Sequence, residues 1–293
     1  MAPVIAIHGG AGTIRKAEMT AARAALYKDA LGEALEAGHM VLQGGGTALD
    51  AVTAAVVAME DSPLFNAGRG AVYNADGRHE LDAAIMDGER LRAGAVACVE
   101  RIRNPVLAAR AVMEHSRHVL LAGKGAERFA GKQGLKMVNQ KYFGTAARRE
   151  ALRRNLRSHH GTVGAVALDR DGNLAAATST GGYTGKLPGR IGDSPLVGAG
   201  TYADNRACAV SGTGLGEAFI RALVAYDVAA RVRYRRESLA AAARAALAGV
   251  ARLGGDGGLV AVDRRGNLAM PFNSQGMYRA CIDRRGRRSV AIY

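Results

Sequence analysis

Residues 161–182 read GTVGAVALDRDGNLAAATSTGG: an apolar run, an Asp-Arg-Asp-Gly-Asn turn and a second run of small residues. Two short runs joined by a turn rich in Gly and Asn are typical of a β-hairpin. Residues 260–276 read VAVDRRGNLAMPFNSQG and repeat the pattern, and an Asp-Arg-Arg-Gly turn indicates a third hairpin within 280–293. The second half of the chain therefore begins and ends with strands that we expect to be antiparallel.

Helical periodicity occupies the segments around these hairpins. Apolar residues recur at steps of three and four over 19–34, and Thr47 is placed to cap a second helix, with Asp50 three residues later. Ala-rich stretches at 217–228 and 238–253 predict two more helices. Each N-terminal helix has a single apolar stripe, so both should cover one face of a sheet. Strands and helices grouped in this way predict an α+β fold with antiparallel sheets between helical layers.

The composition excludes several classes of protein. Hydrophobic residues make up 48% of the 293 residues, and 39 Gly against 6 Pro is not the profile of a disordered or collagen-like chain. Cys98, Cys208 and Cys281 form no CxxC pair, so we expect reduced thiols, as in the cytoplasm. No apolar run approaches the roughly 18 residues of a membrane-spanning helix. Residues 1–7 lack the regions of a signal peptide, so we expect a cytoplasmic protein with no membrane partner.

The net charge of +14 favours nucleic acid as a partner only if the charges share a folded face. Residues 132–160 hold eight basic side chains and one acidic side chain, which is half of that net charge. The stretch is poor in strong core formers, so we expect a mobile, solvated linker and no nucleic-acid partner. A basic nucleic-acid-binding protein that uses this segment is the alternative from another functional class.

Familiar cofactor and metal motifs are missing from the sequence. The glycines at 212–216 lack dinucleotide spacing, and no GxxxxGK[ST] loop occurs. The His-Gly-Gly sequence at 8–10 has no GxSxG nucleophile elbow to accompany it. The seven histidines show no HExxH pattern, and His159 and His160 are interpreted as a surface pair. We therefore expect no cofactor for the chemistry.

The junction SHHGTVGAV at 158–166 is where a polar run meets a strand that begins with Thr162. A threonine hydroxyl is a weak nucleophile unless a base takes its proton, and a chain break before Thr162 would supply a free α-amine as that base. Such an amine titrates near 7.7–8.0, so part of it is neutral at pH 7. Gly161 permits φ values that a strained, self-cleaving peptide would need. An ordinary strand threonine is the structural alternative.

Five segments of the sequence carry specific motifs. They are 161–182, IAIHGGAG at 5–12, SPLFNAGRGAV at 62–72, LPGRIGDSPLVGAG at 187–200 and SGTGLGEAFIR at 211–221. Together they resemble the isoaspartyl peptidase/L-asparaginase family, the plant-type asparaginase branch of the N-terminal nucleophile hydrolases. The resemblance extends over nearly the whole chain except the basic stretch. Glycosylasparaginases, a related branch, typically have Asp before the nucleophile, where this chain has Gly161.

The resemblance implies a four-layer αββα sandwich of the N-terminal nucleophile hydrolase type, formed as one domain over residues 1–293. The precursor would cut itself between Gly161 and Thr162. Cleavage would give an α chain, residues 1–161, whose tail is the basic stretch, and a β chain, residues 162–293. Two precursors would then form an (αβ)2 heterotetramer.

The resemblance also assigns catalytic groups. Thr162 would be the nucleophile, and Thr180 the neighbouring hydroxyl that orients it. Thr213 and the Gly214 N–H would form the oxyanion hole, which donates hydrogen bonds to the charge on the attacked carbonyl. As structural alternatives, Thr180 and Thr213 are only strand and turn residues.

Substrate binding is assigned in the same way. Arg190 would hold the substrate α-carboxylate, for which a guanidinium has suitable bidentate geometry. Asp193, with the Gly216 carbonyl, would hold the α-ammonium group. The alternative is that Arg190 and Asp193 pair with each other.

Two further expectations concern the segment that contains SPLFNAGRG. Asn66 would assist self-cleavage at Gly161, unless it only caps a turn. The backbone of the loop from Met59 to Arg69 corresponds to a loop that binds a structural sodium ion.

The expected function is that of a self-processing threonine amidohydrolase that cleaves β-aspartyl dipeptides and L-asparagine and releases L-aspartate. The Thr162 hydroxyl would attack the side-chain carbonyl and form a β-aspartyl ester while an amine or ammonia leaves. Water would complete the cycle. A relative of the same fold that acts on another amide is the alternative.

Overall fold

The computed structural model describes residues 1–154 and 161–293. Across those two ranges, no helix combines the length and apolar character that are needed to cross a bilayer. Short 3-10 helices lie at Lys16–Glu18 and Gln140–Tyr142. The other elements are, in chain order, β1 (Val4–Gly12), α1 (Ala21–Gln43), α2 (Ala48–Asp61), β2 (Leu81–Asp87), β3 (Arg92–Val99), α3 (Pro105–His115), β4 (Leu120–Ala122), α4 (Gly123–Lys132), α5 (Ala146–Arg153), β5 (Val163–Leu168), β6 (Leu174–Thr180), β7 (Thr201–Ala203), β8 (Cys208–Gly214), α6 (Gly216–Ala222), α7 (Val224–Tyr234), α8 (Leu239–Arg252), β9 (Gly257–Asp263), β10 (Leu268–Ala269), β11 (Gly276–Ile282) and β12 (Arg288–Ala291).

Eight strands form the larger sheet, in the order β12-β11-β1-β5-β6-β2-β3-β4. All neighbours in it are antiparallel except β3 and β4. The predicted hairpin at 161–182 is confirmed as β5–β6, which pairs from Val163 with Ser179 to Leu168 with Leu174. Strand β1 lies between β5 and β11, so strands from the second half of the chain hold the N-terminal strand on both sides.

Four strands form the smaller sheet, in the order β10-β9-β8-β7, and all of them are antiparallel. The hairpin predicted at 260–276 is confirmed here as β9–β10, although only two residue pairs are formed. The third predicted hairpin is confirmed as β11–β12, but it belongs to the larger sheet. Similar hairpin sequences are therefore distributed between the two sheets.

Three groups of buried apolar side chains hold the elements together. One group, which includes Leu35 and Ile85, lies where α1, α2 and α3 pack on the larger sheet. A second, which includes Phe219, lies between the smaller sheet and α6, α7 and α8. The third joins the two sheets and includes Val166 and Val260. Each side chain of this size contributes roughly 1.5–3 kcal/mol when fully buried. The α+β class is confirmed, and the N-terminal helices cover one sheet face as predicted.

The basic stretch differs from the expectation. Its described part, residues 132–154, is not simply a solvated linker, because Phe143 is completely buried in the first core group and Thr145 caps the helix α5. The stretch is polar on average, but single apolar residues within it pack in the core, and an average composition does not reveal them. Residues 155–160 lie outside the described residues, and so does the polar half of the predicted junction at 158–160.

Two helix predictions also need correction. The helix expected over 217–228 is divided at Leu223, whose φ of 46° lies in the left-handed region and ends the regular hydrogen bonding. The apolar stripe of α1 starts later than expected, at Leu31, whereas Leu26 is exposed. The neighbouring Tyr27 packs on the sheet instead, with its ring stacked on Tyr278 of β11 at 4.2 Å between centroids, so apolar spacing alone misplaced the buried face at this end of α1.

Candidate active site

The pleat of three strands directs three threonine side chains into the space between the sheets. Even-numbered residues of β5 and β6, such as Val166 and Leu174, belong to the core that joins the sheets. Thr162 immediately precedes β5 and Thr180 ends β6, so the period of two places both on that same face. On β8 the odd-numbered residues face the larger sheet, and Thr213 is one of them. All three threonines are buried.

A small cavity of about 10 Å³ lies at the end of β5 and β6. That volume is close to the roughly 10–15 Å³ that one water molecule requires, so the cavity has no room for an amino acid while Gly161 is in place. The predicted residues brought together around it are Gly161, Thr162, Thr180, Arg190, Asp193 and Gly214.

The carbonyl of Gly161 accepts two hydrogen bonds. Asn66 Nδ2 donates over 2.7 Å, and Thr180 Oγ1 donates over 3.1 Å. The Thr162 hydroxyl in turn donates to Thr180 Oγ1 over 3.2 Å, and the Gly182 N–H donates to the same oxygen over 3.0 Å. Two donors on one carbonyl oxygen are arranged to stabilise negative charge on that oxygen.

The side chain of Asn66 is fixed at both ends. Its Oδ1 accepts the Val72 N–H at 2.9 Å, and its Nδ2 also donates to the Gly182 carbonyl at 2.6 Å. Asn66 therefore does more than cap a local turn, because its amide spans to Gly161, 95 residues away.

Gly10, in strand β1, allows that strand to approach the Gly161–Thr162 peptide. Its φ is +113°, and a Cβ at this position would lie 2.9 Å from Gly161 Cα and 3.3 Å from Thr162 N. Only glycine fits such a close approach with that backbone conformation. The His-Gly-Gly segment of β1 thus forms one wall against the bond that the sequence predicts to be cut.

Arg190 forms a bidentate ion pair with Glu217, in which Nε and Nη2 each donate over 2.9 Å. The guanidinium also lies 4.6 Å from the centre of the Tyr183 ring. The alternative in which Arg190 and Asp193 pair with each other is therefore wrong. The two hydrogen bonds to Glu217 fix the plane of the Arg190 guanidinium at the cavity. Its remaining N–H groups can contact a ligand there.

Asp193 is buried, and its Oδ2 has no hydrogen-bond partner within the described residues. Burial raises the pKa of Asp193 to about 6, while the charge of Arg190 acts in the opposite direction. A Cβ at Gly200 would lie 2.7 Å from that Oδ2, and a Cβ at Gly216 would lie 3.0 Å from Oδ1. The glycines leave room around a carboxylate that is ionised at neutral pH and fits a cation.

Thr213 and Gly216 stand slightly apart from the other predicted residues. Among the described residues that line the small cavity, neither is present. The Thr213 hydroxyl accepts the Ala11 N–H at 3.1 Å, which leaves its own hydrogen available to donate. A Cβ at Gly216 would lie 2.7 Å from Arg190 Nη2, so the backbone of Gly216 lies next to the Arg190 guanidinium.

Sequence reasoning missed His8. Its Nδ1 lies 2.8 Å from the Thr162 carbonyl oxygen, so this nitrogen must carry the proton and donate it. Its Nε2 lies 2.9 Å from Ser211 Oγ, which is 2.7 Å from Thr178 Oγ1, and Thr201 continues the chain of hydroxyls. Burial lowers the pKa of His8 to about 3, so the ring is neutral. Polar residues on strand positions that face the other sheet were the signal for this network.

Glu60 was missed as well. It is fully buried, and Oε1 accepts the Ser179 hydroxyl at 2.6 Å and the Val106 N–H at 3.0 Å. Its Oε2 has no partner within the described residues. Burial raises the pKa of Glu60 to about 8, so the carboxyl group is mostly protonated at neutral pH.

The chain is similar to proteins named as peptidases and asparaginases over most of its length. A family model described as asparaginase matches residues 1–160 and 153–292. Isoaspartyl peptidase from Salmonella typhimurium is 56% identical over 294 residues, 94% of each chain, and isoaspartyl peptidase from Escherichia coli is 54% identical over 94% of this chain and 92% of its own. Plant-type L-asparaginase from Pyrobaculum calidifontis is 44% identical over 94% of this chain and 95% of its own. The resemblance seen in the sequence motifs is confirmed, and this chain belongs to the asparaginase family.

Proposed function

We propose that this protein is a self-processing threonine amidohydrolase that cleaves β-aspartyl dipeptides and L-asparagine and releases L-aspartate. The observation that carries the proposal is the placement of Arg190, Asp193 and the Thr162 hydroxyl around one cavity. Family membership supports it, since the relatives at 54–56% identity are named isoaspartyl peptidases.

Self-cleavage begins at the Gly161–Thr162 bond. Asn66 and Thr180 polarise the Gly161 carbonyl, and the Thr162 hydroxyl attacks its carbon. The new C–O bond forms an ester, the C–N bond breaks, and the nitrogen takes up the hydroxyl proton. Water then hydrolyses the ester, which leaves a carboxylate on Gly161 and a free α-amine on Thr162 that serves as the base.

Catalysis follows once Gly161 no longer forms a wall of the small cavity. The substrate α-carboxylate binds to Arg190 and the α-ammonium binds to the unpartnered oxygen of Asp193. With both α groups held, the β-carbonyl is the part of the substrate that faces Thr162. The Gly214 N–H and the Thr213 hydroxyl stabilise the oxyanion, and a β-aspartyl ester forms before water releases aspartate.

The proposed architecture is the four-layer αββα sandwich in one domain, cut into chains 1–161 and 162–293. Strand β1 from the first chain lies between β5 and β11 from the second, which supports a cleaved product that stays assembled. Two such units form the proposed (αβ)2 heterotetramer, which light scattering should detect at twice the 30.4 kDa precursor mass. A monomeric mass would contradict the assembly. The cysteines are free thiols, which supports a cytoplasmic location.

A structural sodium ion is proposed for the loop from Met59 to Arg69. A Cβ at Gly70 would lie 2.6 Å from the carbonyl oxygens of both Pro63 and Phe65, so these two oxygens converge. Main-chain oxygens are suitable ligands for a hard cation, and the residues present therefore fit the ion. It would stabilise the loop that carries Asn66 and supply no step of the reaction. Replacing sodium with choline in the buffer should lower the melting temperature.

Intact mass spectrometry of the purified protein tests the proposal. The wild type should give fragments of 161 and 132 residues, whereas Thr162→Ala should give one chain of 293. A wild type that stays uncleaved and hydrolyses L-asparagine at full rate would overturn the mechanism. L-asparagine and β-aspartyl-leucine should inhibit each other's hydrolysis, and cleavage without either activity would favour another amide substrate.

A further inference from the structure

A second cavity, of about 110 Å³, shares Gly161 with the candidate substrate cavity and is otherwise lined by different residues. Gly161 lines both, and Gly10 and Asn66, which contact the Gly161–Thr162 peptide, line the larger one. The larger cavity therefore extends to the peptide bond that is cut. At roughly 10–15 Å³ for each water, it has room for several water molecules, and hence for a small organic group.

The charge around this cavity is positive. Among the described residues that line it are Arg15, Arg23, Arg148 and a single acid, Glu18, which pairs with Arg15 at 2.9 Å. Within residues 1–154 and 161–293, neither Arg23 nor Arg148 forms a salt bridge. Arg148 donates from Nε to the Gly70 carbonyl at 2.7 Å and from Nη2 to the Leu64 carbonyl at 3.5 Å, and its other N–H groups have no partner within the described residues.

Arg148 is removed from water. Burial lowers its pKa, Tyr27 and Tyr278 act in the opposite direction, and the positive charge of Arg23 adds to the lowering. Arginine nevertheless stays protonated in proteins. Two guanidinium groups beside one cavity, without an acid of their own, favour the binding of an anion.

Another part of the wall is apolar and aromatic. Ile14, Met19 and Phe65 line it, and the rings of Tyr27 and Tyr278 stack at 4.2 Å between centroids. A ligand with one carboxylate and one apolar side chain matches both parts of the wall.

We propose that this cavity binds the leaving amino acid of a β-aspartyl peptide, with its α-carboxylate on Arg23 and Arg148. The inference rests on the proposed function. With the aspartyl α groups on the Arg190 side of Thr162, the amide nitrogen and the residue attached to it extend away from that side, through the position of Gly161. L-Asparagine ends at its amide nitrogen and does not reach the cavity, so the subsite distinguishes peptides from asparagine and favours an apolar second residue.

The experiment compares kcat/KM for β-aspartyl-leucine and for its C-terminal amide, β-aspartyl-leucinamide. The wild type should prefer the free carboxylate, and Arg23→Gln should reduce that preference by about fivefold, as expected for one charge in a partly open cavity. Glu18→Gln should increase the preference for the free carboxylate because it removes a carboxylate that lines the same cavity. Arg285→Gln, at an exposed arginine in the β11–β12 turn, is the matched control and should leave the preference unchanged.

Arg148→Gln gives a second measurement, made on protein shown to be fully cleaved because Arg148 also holds the loop at Gly70. A wild type that hydrolyses both peptides without preferring the carboxylate would overturn the subsite and leave the proposed function standing. If Arg23→Gln and Arg148→Gln both keep the wild-type preference for the free carboxylate, the subsite is likewise overturned and the proposed function stands. A wild type that hydrolyses neither peptide nor L-asparagine would overturn the proposed function and the subsite with it.

Discussion

The hydroxyl of Thr162 donates to the hydroxyl of Thr180 over 3.2 Å. Thr180 uses its own proton for the Gly161 carbonyl, at 3.1 Å. One buried hydroxyl therefore connects the proposed nucleophile with the carbonyl group that it attacks during self-cleavage, and the same hydroxyl is in place to orient Thr162 afterwards.

Thr180→Val should slow self-cleavage by on the order of 100-fold, since the shape is kept while a donor to the attacked carbonyl is lost. The measurement is the fraction of cleaved chain over time on a denaturing gel. Thr184→Val is the matched control, because Thr184 is buried and its hydroxyl has no partner within the described residues. Wild-type cleavage by Thr180→Val would show that Thr180 is only a strand residue.

Arg190→Ala should abolish hydrolysis of L-asparagine and leave self-cleavage intact, because the cut at Gly161 does not require a substrate carboxylate. Arg190→Lys should retain part of the activity with a raised KM, since an ammonium lacks the planar fork that Glu217 holds in position. Steady-state kinetics and the gel give the two readouts. Loss of both activities in Arg190→Ala would indicate a structural role instead.

His8→Phe should lower kcat by about tenfold, because the lost hydrogen bond to the Thr162 carbonyl contributes roughly 1–1.5 kcal/mol. His8 acts as a positioning residue, so KM should change less than kcat. Since the pKa of His8 is lowered to about 3, its titration should not appear in the wild-type pH–rate profile between pH 5 and 9. Equal changes in kcat and KM, or a histidine titration in that range, would contradict this role.

Glu60 should make the folded protein less stable as pH rises. Its pKa is raised by burial from 4.5 to about 8, so the folded state binds the proton more tightly than the unfolded state between these values. The free energy of unfolding should therefore fall with a slope of up to about 1.4 kcal/mol per pH unit in that window, and Glu60→Gln should remove the slope. Urea unfolding at several pH values measures it, in the uncleaved Thr162→Ala background. A parallel slope in both proteins would assign the pH dependence to other groups.

Much of the fold could be predicted from local pattern. All three hairpins and the cap at Thr47 are where the turn chemistry and spacing place them, because those signals act over only a few residues. The division of the helix at Leu223 and the burial of Phe143 could not be predicted in this way. Each depends on which surface the segment packs against, and a sequence window contains no information about that surface.

In the candidate site, too, some features could be predicted from the sequence and others could not. Its main residues were found through motifs, but the pairing of Arg190 with Glu217 and the contact between His8 and the Thr162 carbonyl join residues 27 and 154 positions apart. By itself the sequence determined the three hairpins, the helix cap at Thr47 and the threonine at the start of a buried strand. Only the tertiary structure decided which hairpin joins which sheet, which charges meet and which carboxyl groups lose their water, because burial and hydrogen bonding depend on neighbours in space.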